Sequence, residues 1–375
     1  MKILLGITYY LPNISGVTIY ARRLAEGLVK KGHQVTVLTS WHNKTLPQKE
    51  IINGVGVVRS PVFIKIGKGV LMPFLPFQIL ELLKDCDVVN CHLPQFESFV
   101  FAFLGKLFGK KVILTHHTDL SGWKGLLNQL SEFSVLVGQI IAAYFADLIV
   151  PYTKDYADYS NFLKKFSSKL RYILPPIVTE KVDHRLRDKW KKTVGGSKYV
   201  IGFAGRIARQ KGIPYLLKSI EYFKKDPPSF KVVFAGPYKK VIGENYFAEI
   251  ETLIDKYKEN IIFLGDIPEE KMSTFYSLCD VLVLPSDDRL ESFGLVQVEA
   301  MLNGCPVVAT DLPGVRIPVK LTGMGLIVPA GDPQSLAKAV TKILENRKTF
   351  LLAKEKITKV FDFQETLSNY EKIFI

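Results

Sequence analysis

The chain has 375 residues, 47% of them apolar and 23% charged, with a formal net charge of +14. At roughly 100–200 residues per domain, this length leads us to expect two domains, and the apolar fraction excludes disorder over most of the chain. Residues 1–170 carry 19 basic and 11 acidic side chains and the remaining 205 carry 31 and 25, a basic excess that suits nucleic acid, anionic lipid or a phosphorylated small molecule. Four cysteines without a CxxC pair read as a reducing compartment and no zinc site. The opening MKILLGITYY is a poor signal peptide and a good first strand. The uncharged stretch from Phe133 to Ala146 is too short to span a bilayer. The expectation is a cytoplasmic protein, soluble or peripheral at the inner membrane face.

In chain order, Ile3–Ile7 reads as a buried strand. A loop from Tyr9 to Val17 follows, then an amphipathic helix from Ile19 to Lys30, then a strand at Val35–Leu38. Further strands are predicted at 55–59, 88–91, 112–115 and 148–150, with helices at 96–108 and 131–145. Pro175 and Pro176 mark a linker at about 171–182. Beyond it, strands are predicted at 199–204, 231–235, 260–264, 281–284, 306–309 and 326–328. Helices are predicted at 213–224, 246–258, 269–278, 294–303 and 333–345, and a terminal helix at 363–375. Such alternation implies parallel sheets covered by helices. The fold class is therefore α/β, two Rossmann-like doubly wound domains facing across a cleft. We place an acceptor-side domain at 1–172, a donor-binding domain at 173–360 and a returning C-terminal helix at 361–375.

Ligands bind beyond the carboxyl ends of such strands, which directs attention to the residues that follow them. After the strand at 199–204, Arg206 and Lys211 sit in a glycine-flanked turn before a helix. A planar fork, a point charge and a helix start could together hold a diphosphate; the plain alternative is a solvated basic turn. After the strand at 281–284 come Glu291 and Glu299, with Phe293, Gly294 and Leu295 between them. Carboxylates can grip sugar diols, and the amides at Phe293, Gly294 and Leu295 would stand at a helix start as donors for a phosphate. Glu299 lies in an apolar run and needs a partner. Asp287 and Asp288 read as surface loop, not metal ligands, and Asp85 and Asp87 merely flank a strand start.

In the first half, His116 and His117 close the strand at 112–115 and point to opposite sides. His92 is a similar candidate, whereas His33, His42 and His184 read as surface residues. Gly16 permits close approach to a ligand or simply a turn. The segment 62–84 mixes Lys65, Lys68 and Lys84 with Phe63, Leu71, Met72, Phe74, Leu75 and Phe77, which fits either an interfacial membrane contact or a partly buried loop. Pro73 and Pro76 argue against a clean helix there. No nucleic-acid-binding pattern accompanies the basic runs.

Together these pieces resemble glycosyltransferase family 4 (group 1), retaining enzymes of the GT-B fold. FAGRIARQKG is similar to the family's diphosphate loop, and LPSDDRLESFGLVQVEAMLNGCPVVATDLPG to its ESFG–E signature. FLGDIPEEKM resembles the turn that holds the base, with Ile267 near it; HHTDL resembles the acceptor-domain histidine motif, aligned on His117; GITYYLPNISGV resembles the glycine loop, reduced here to Ser15-Gly16. LPPIVTEKVD lacks the Asn-Gly common in the interdomain segment. The resemblance implies transfer of a sugar from a nucleotide-diphosphate donor, UDP- or GDP-linked, to a glycan, lipid-linked or other hydroxyl acceptor, with retention. It implies Arg206 and Lys211 on the departing diphosphate with no metal or other cofactor, Glu291 on donor-sugar hydroxyls, Glu299 on the ribose and His117 near the reacting centre. Peripheral contact with an anionic membrane is a further expectation, and nucleic acid is not a partner. The alternatives are a nucleotide-sugar epimerase, against which the Glu291–Glu299 pair speaks, and a non-catalytic nucleotide-sugar-binding subunit, against which His117 and Asp119 speak.

Overall fold

The computed structural model describes residues 1–66, 69–120, 126–223, 229–238 and 246–375; Lys68 of the basic–apolar segment and the end of the predicted helix 213–224 lie outside them. The chain divides into two compact units, Met1–Pro176 with Phe363–Ile375, and Ile177–Asp362. The first division thus falls after Pro176 rather than after 172.

The first unit holds a seven-stranded sheet. Its strands are β1 (Lys2–Gly6), β2 (Gln34–Trp41), β3 (Lys49–Ile52), β4 (Val55–Pro61), β7 (Val88–Leu93), β8 (Lys111–His116) and β9 (Leu148–Val150); β5 (Ile64–Ile66) and β6 (Gly69–Leu71) form a separate hairpin. The order β3-β4-β2-β1-β7-β8-β9 is parallel except for the β3–β4 pair, which is antiparallel. Burial of Leu4, Val37, Val89, Leu114 and Ile149 between helices explains why these strands read as apolar runs rather than alternations. Helix α1 (Gly16–Lys30) begins earlier than Ile19, because Ser15 caps it: its Oγ accepts the Thr18 amide at 3.2 Å. Helix α2 (Leu75–Leu83) forms despite Pro76, which occupies its first turn. A proline there costs nothing, since its missing N–H would have had no partner; as expected, no helix runs through 62–84 as a whole, because β5 and β6 precede α2. Helices α3 (Ser98–Leu107) and α4 (Leu126–Phe145) complete the unit's apolar cluster with α2.

The terminal helix Phe363–Phe374 belongs to this unit. Gly27 of α1 lets it approach: a Cβ there would come within 2.7 Å of Leu367. Tyr20 and Tyr370, both fully buried, share a hydrogen bond at 2.7 Å, and Tyr370 meets Thr115 of β8 at 3.0 Å. His33, expected at the surface, is half-buried and pairs with Glu371 at 2.8 Å.

The second unit holds a parallel six-stranded sheet, β10 (Tyr199–Ala204), β11 (Phe230–Ala235), β12 (Ile261–Gly265), β13 (Val281–Leu284), β14 (Val307–Thr310) and β15 (Gly325–Val328), in the order β12-β11-β10-β13-β14-β15. The helices Glu269–Leu278 and Pro333–Glu345 form as predicted. The predicted helix 246–258 is interrupted at Ile250, giving Tyr246–Glu249 and Glu251–Lys256. Among the described residues no helix is long and apolar enough to cross a membrane.

The terminal helix should therefore be essential to the first unit. Tyr370→Ala is expected to destabilise by about 3–5 kcal/mol through the cavity it leaves. Tyr370→Phe should cost about 1–3 kcal/mol, because it orphans the buried Tyr20 hydroxyl. Urea unfolding of the variants measures both, and a loss below 1 kcal/mol for Tyr370→Ala would sink the idea.

Candidate functional site

In the second unit the loops after β10 and β13 leave adjacent strands. They meet at Gly212, which adopts φ +62°. A Cβ at Gly212 would strike the Pro285 carbonyl, so only glycine lets the backbones lie this close. Lys211 is thereby delivered to Glu291, and the two form an ion pair with both side chains largely shielded. The Ser286 hydroxyl lies 3.4 Å from the same Glu291 oxygen, and Thr310 Oγ1 donates to the Ser286 carbonyl at 2.6 Å. Arg206 is half-buried in the same loop, and no hydrogen bond or ion pair joins its guanidinium to another described residue. One cation is thus committed to a carboxylate and a second is free to meet an anion.

Gly294 opens the helix Leu295–Leu302 at φ +75°, where a Cβ would strike Leu284. This brings the helix start down onto the end of β13. Phe293 beneath it is buried, and Gln297 Nε2 ties the Phe293 and Val315 carbonyls at 2.7 and 2.9 Å. The expectation that Glu299 needs a partner is answered by Tyr276, whose hydroxyl donates to Glu299 Oε2 at 2.8 Å; Glu299 is 8% exposed. Tyr276 lies on the helix that follows the turn bearing Ile267, which is half-buried. Asp288 shapes its own turn, Oδ1 accepting the Leu290 amide at 2.9 Å.

In the first unit β7 and β8 are neighbours, and their carboxyl ends carry His92 and His117. His92 Nδ1 lies 2.7 Å from His117 Nε2, and His117 Nδ1 bonds the Tyr152 hydroxyl. Tyr20 stands edge-on to His117 with ring centroids 4.9 Å apart. Burial pulls the His92 imidazole down to about 3. Burial, followed by the neighbouring His92 and His116, holds His117 well below the usual histidine range. Both rings are therefore neutral at physiological pH, and His117 is a hydrogen-bonding group with little basicity. Gly16 lies at the start of α1, where a Cβ would meet nothing, so the fold itself does not demand glycine there.

His116 points the other way and stacks on Phe162 at 5.3 Å. Asp119, 3.3 Å from His116 Nε2, accepts from the Ser160 hydroxyl at 2.7 Å; these contacts anchor the loop. Sequence reasoning missed Tyr20, Tyr152 and Tyr276, whose partners are remote in sequence. It also missed Glu97, which follows β7 and whose carboxyl burial pushes up to about 7. Among the described residues no three His, Cys, Asp or Glu side chains gather as a metal-ligating group.

A family model described as Glycosyl transferases group 1 matches residues 184–359, and one described as Glycosyltransferase Family 4 matches residues 14–181. An uncharacterized glycosyltransferase of Methanocaldococcus jannaschii is 27% identical over 363 residues, covering 92% of this chain and 90% of the relative. The O-antigen chain mannosyltransferase C of Escherichia coli is 23% identical over 356 residues, covering 91% and 88%. Among solved structures, Anabaena HepE in complex with UDP-glucose superposes with a TM-score of 0.79 at 19% identity, over 99% of this chain and 98% of that one. Each family match covers the body of one unit, and with the fold shared from end to end the chain belongs to the group 1 glycosyltransferases of family 4, built on the GT-B fold.

Proposed function

We propose that this glycosyltransferase takes its sugar from a nucleoside-diphosphate donor, a UDP-sugar before a GDP-sugar, and passes it with retention to a hydroxyl of a glycan or lipid-linked acceptor. The observation that carries the reading is the Arg206 guanidinium, without a partner among the described residues, beside the Lys211–Glu291 pair, in loops from adjacent strands. The preference for uridine rests on HepE, which was solved with UDP-glucose.

In this reading the acceptor oxygen bonds to the anomeric carbon as the bond from that carbon to the diphosphate oxygen breaks. The acceptor proton passes to the leaving diphosphate on the same face. Charge grows on that diphosphate, and Arg206 and Lys211 are already in place to offset it, without the reorganisation that water would need. The amides of Phe293, Gly294 and Leu295 add helix-start donors. Glu291 has two tasks: it orients Lys211 and accepts from donor-sugar hydroxyls. Glu299, steadied by Tyr276, accepts from the ribose diol. Ile267 lies against the base and Gly16 leaves room for the donor. His117, kept neutral by burial, is assigned a hydrogen bond to the sugar and not proton abstraction. Two cations make a divalent metal unnecessary.

Arg206→Ala and Lys211→Ala should each lower kcat about 10²–10³-fold, as removal of a donor to developing charge does elsewhere. Glu299→Gln should act mainly on donor KM. Transfer should persist in EDTA. A donor at 100 times its Kd should raise stability by about 2.7 kcal/mol, so thermal unfolding against UDP-, GDP-, ADP- and CMP-sugars identifies the base. If none of them shifts the folded protein, the donor assignment is wrong.

The neutral histidines also set a pH dependence. Above their ordinary value of 6.5 both folded and unfolded imidazoles are neutral. Below it the unfolded ones bind protons and the folded ones do not, so stability falls as pH falls, by about 1.4 kcal/mol per pH unit for each histidine. For His92 the loss continues to about pH 3. Glu97 has the opposite sign, since its folded value of about 7 exceeds the ordinary 4.5; it favours the folded state as pH falls through that window. Comparing wild type with His92→Gln removes the Glu97 contribution. The destabilisation caused by His92→Gln should shrink between pH 6.5 and 5, and a constant penalty would show that His92 is not held neutral.

A further inference from the structure

Helix α4 is apolar on both sides. Gly138, Gln139, Ala142 and Ala143 face inward and are buried. A Cβ on Gly138 would come within 2.6 Å of the Phe96 carbonyl, so the helix lies tight against the loop that precedes α3. On the outer side Leu130, Phe133, Val137, Ile141 and Tyr144 follow one another at spacings of three and four, a single stripe along the helix. These side chains are exposed, Phe133 by 64% and Tyr144 by 71%. Glu132 is the one charged residue of the helix. An amphipathic surface helix turns its polar face outward; this one does not.

The stripe continues onto neighbouring elements. Phe103 of α3 is exposed and packs edge-on against Phe145 at 5.3 Å, and Leu107 lies one turn further along. Phe63 beside the β5–β6 hairpin is 80% exposed, and Phe77 of α2 is exposed as well. An apolar patch of this extent on a soluble domain marks an interaction surface.

Cations border it. Lys106 and Lys110 flank the exposed Leu107 and Phe108 at the end of α3. Lys164 and Lys165 are exposed beside Phe166, whose ring packs on Tyr144 at 5.3 Å. Lys169 Nζ sits on the last carbonyls of α4, at 2.9, 2.8 and 2.7 Å from Ala143, Tyr144 and Ala146. Asp147, just after α4, is paired with Lys106.

We propose that the first unit docks on an anionic lipid surface through the outer face of α4 and the adjoining end of α3, with the lysines at the rim meeting lipid headgroups. Apolar side chains entering the interface and basic ones reaching the headgroups is the pattern of a peripheral membrane contact. A second copy of the chain would bring the same lysines against one another, and like charges across an interface are unfavourable. The inference does not depend on the donor or on the chemistry of transfer.

Sedimentation with vesicles tests it. The full-length protein should pellet with phosphatidylcholine vesicles containing phosphatidylglycerol at low salt, and at least tenfold less with phosphatidylcholine alone or at high salt. Phe133→Ser combined with Ile141→Ser should weaken partitioning at least tenfold, and so should Lys110→Glu combined with Lys165→Glu. All four positions are outside the site described above, and circular dichroism and the urea midpoint should stay at the wild-type values. Protein left in the supernatant with anionic vesicles overturns the proposal, as does wild-type binding by either double variant. Light scattering that finds a dimer, converted to monomer by Phe133→Ser with Ile141→Ser, overturns it in favour of a second copy.

Discussion

The ion pair between Lys211 and Glu291 is the contact on which the donor-side geometry depends. A surface pair of this kind would contribute little, but this one joins two loops that leave adjacent strands, β10 and β13. Its position is prepared by backbone: Gly212 has no side chain because the Pro285 carbonyl occupies that space. A substitution at Gly212 would separate the loops before any charged group was touched. The pair also has a chemical consequence. The carboxylate orients Lys211 and offsets part of its charge. Arg206 carries no such commitment among the described residues, and it supplies the uncompensated charge that would draw an anion in.

The first unit solves a different problem, that of keeping polar rings in a dry place. His92 and His117 are buried, burial keeps their imidazoles neutral, and one hydrogen bond joins the two rings. Tyr152 and Tyr20 enclose them, and Tyr20 is fixed in turn by Tyr370 of the terminal helix. The last residues of the chain therefore determine the environment of the histidines at the ends of β7 and β8. Removing the helix would expose this cluster to water, which would let the imidazoles charge. Stability and the electrostatics of the histidine cluster are linked through one hydroxyl pair.

Much of this was legible in the sequence where a local rule governs. Parallel strands buried on both faces read as apolar runs, and β9, β10 and β13 form over the residues expected. Arg206, Lys211, Glu291 and Glu299 could be named because residues after strands in such a sheet face the ligand side. The failures were non-local or positional. The short helix α2 at the end of 62–84 was not predicted, because Pro76 is harmless only in the first turn, and where that turn falls is not marked in the sequence. The antiparallel β3 was missed because its residues, Lys49–Ile52, are half-exposed and carry no apolar run. His33 was read as surface because its partner Glu371 lies 338 positions away. Tyr276 could not be found either, since nothing around it signals a buried carboxylate 23 residues later.

Helix α4 shows the limit of periodicity from the other side. The sequence predicts a helix at 131–145, and an uninterrupted apolar stretch is what a core helix looks like. Part of it is one: Gly138, Ala142 and Ala143 are buried. The rest is not, because periodicity reports only that a face is apolar, not that the protein covers it. Phe133, Val137 and Ile141 repeat at helical spacing as a core face would, and yet they are exposed. Selection for solubility alone would have placed charged side chains on that stripe, as it did on the helix His184–Thr193. An apolar face retained at a cost in solubility, bordered by lysines instead of interleaved with them, is therefore the mark of a contact outside the chain.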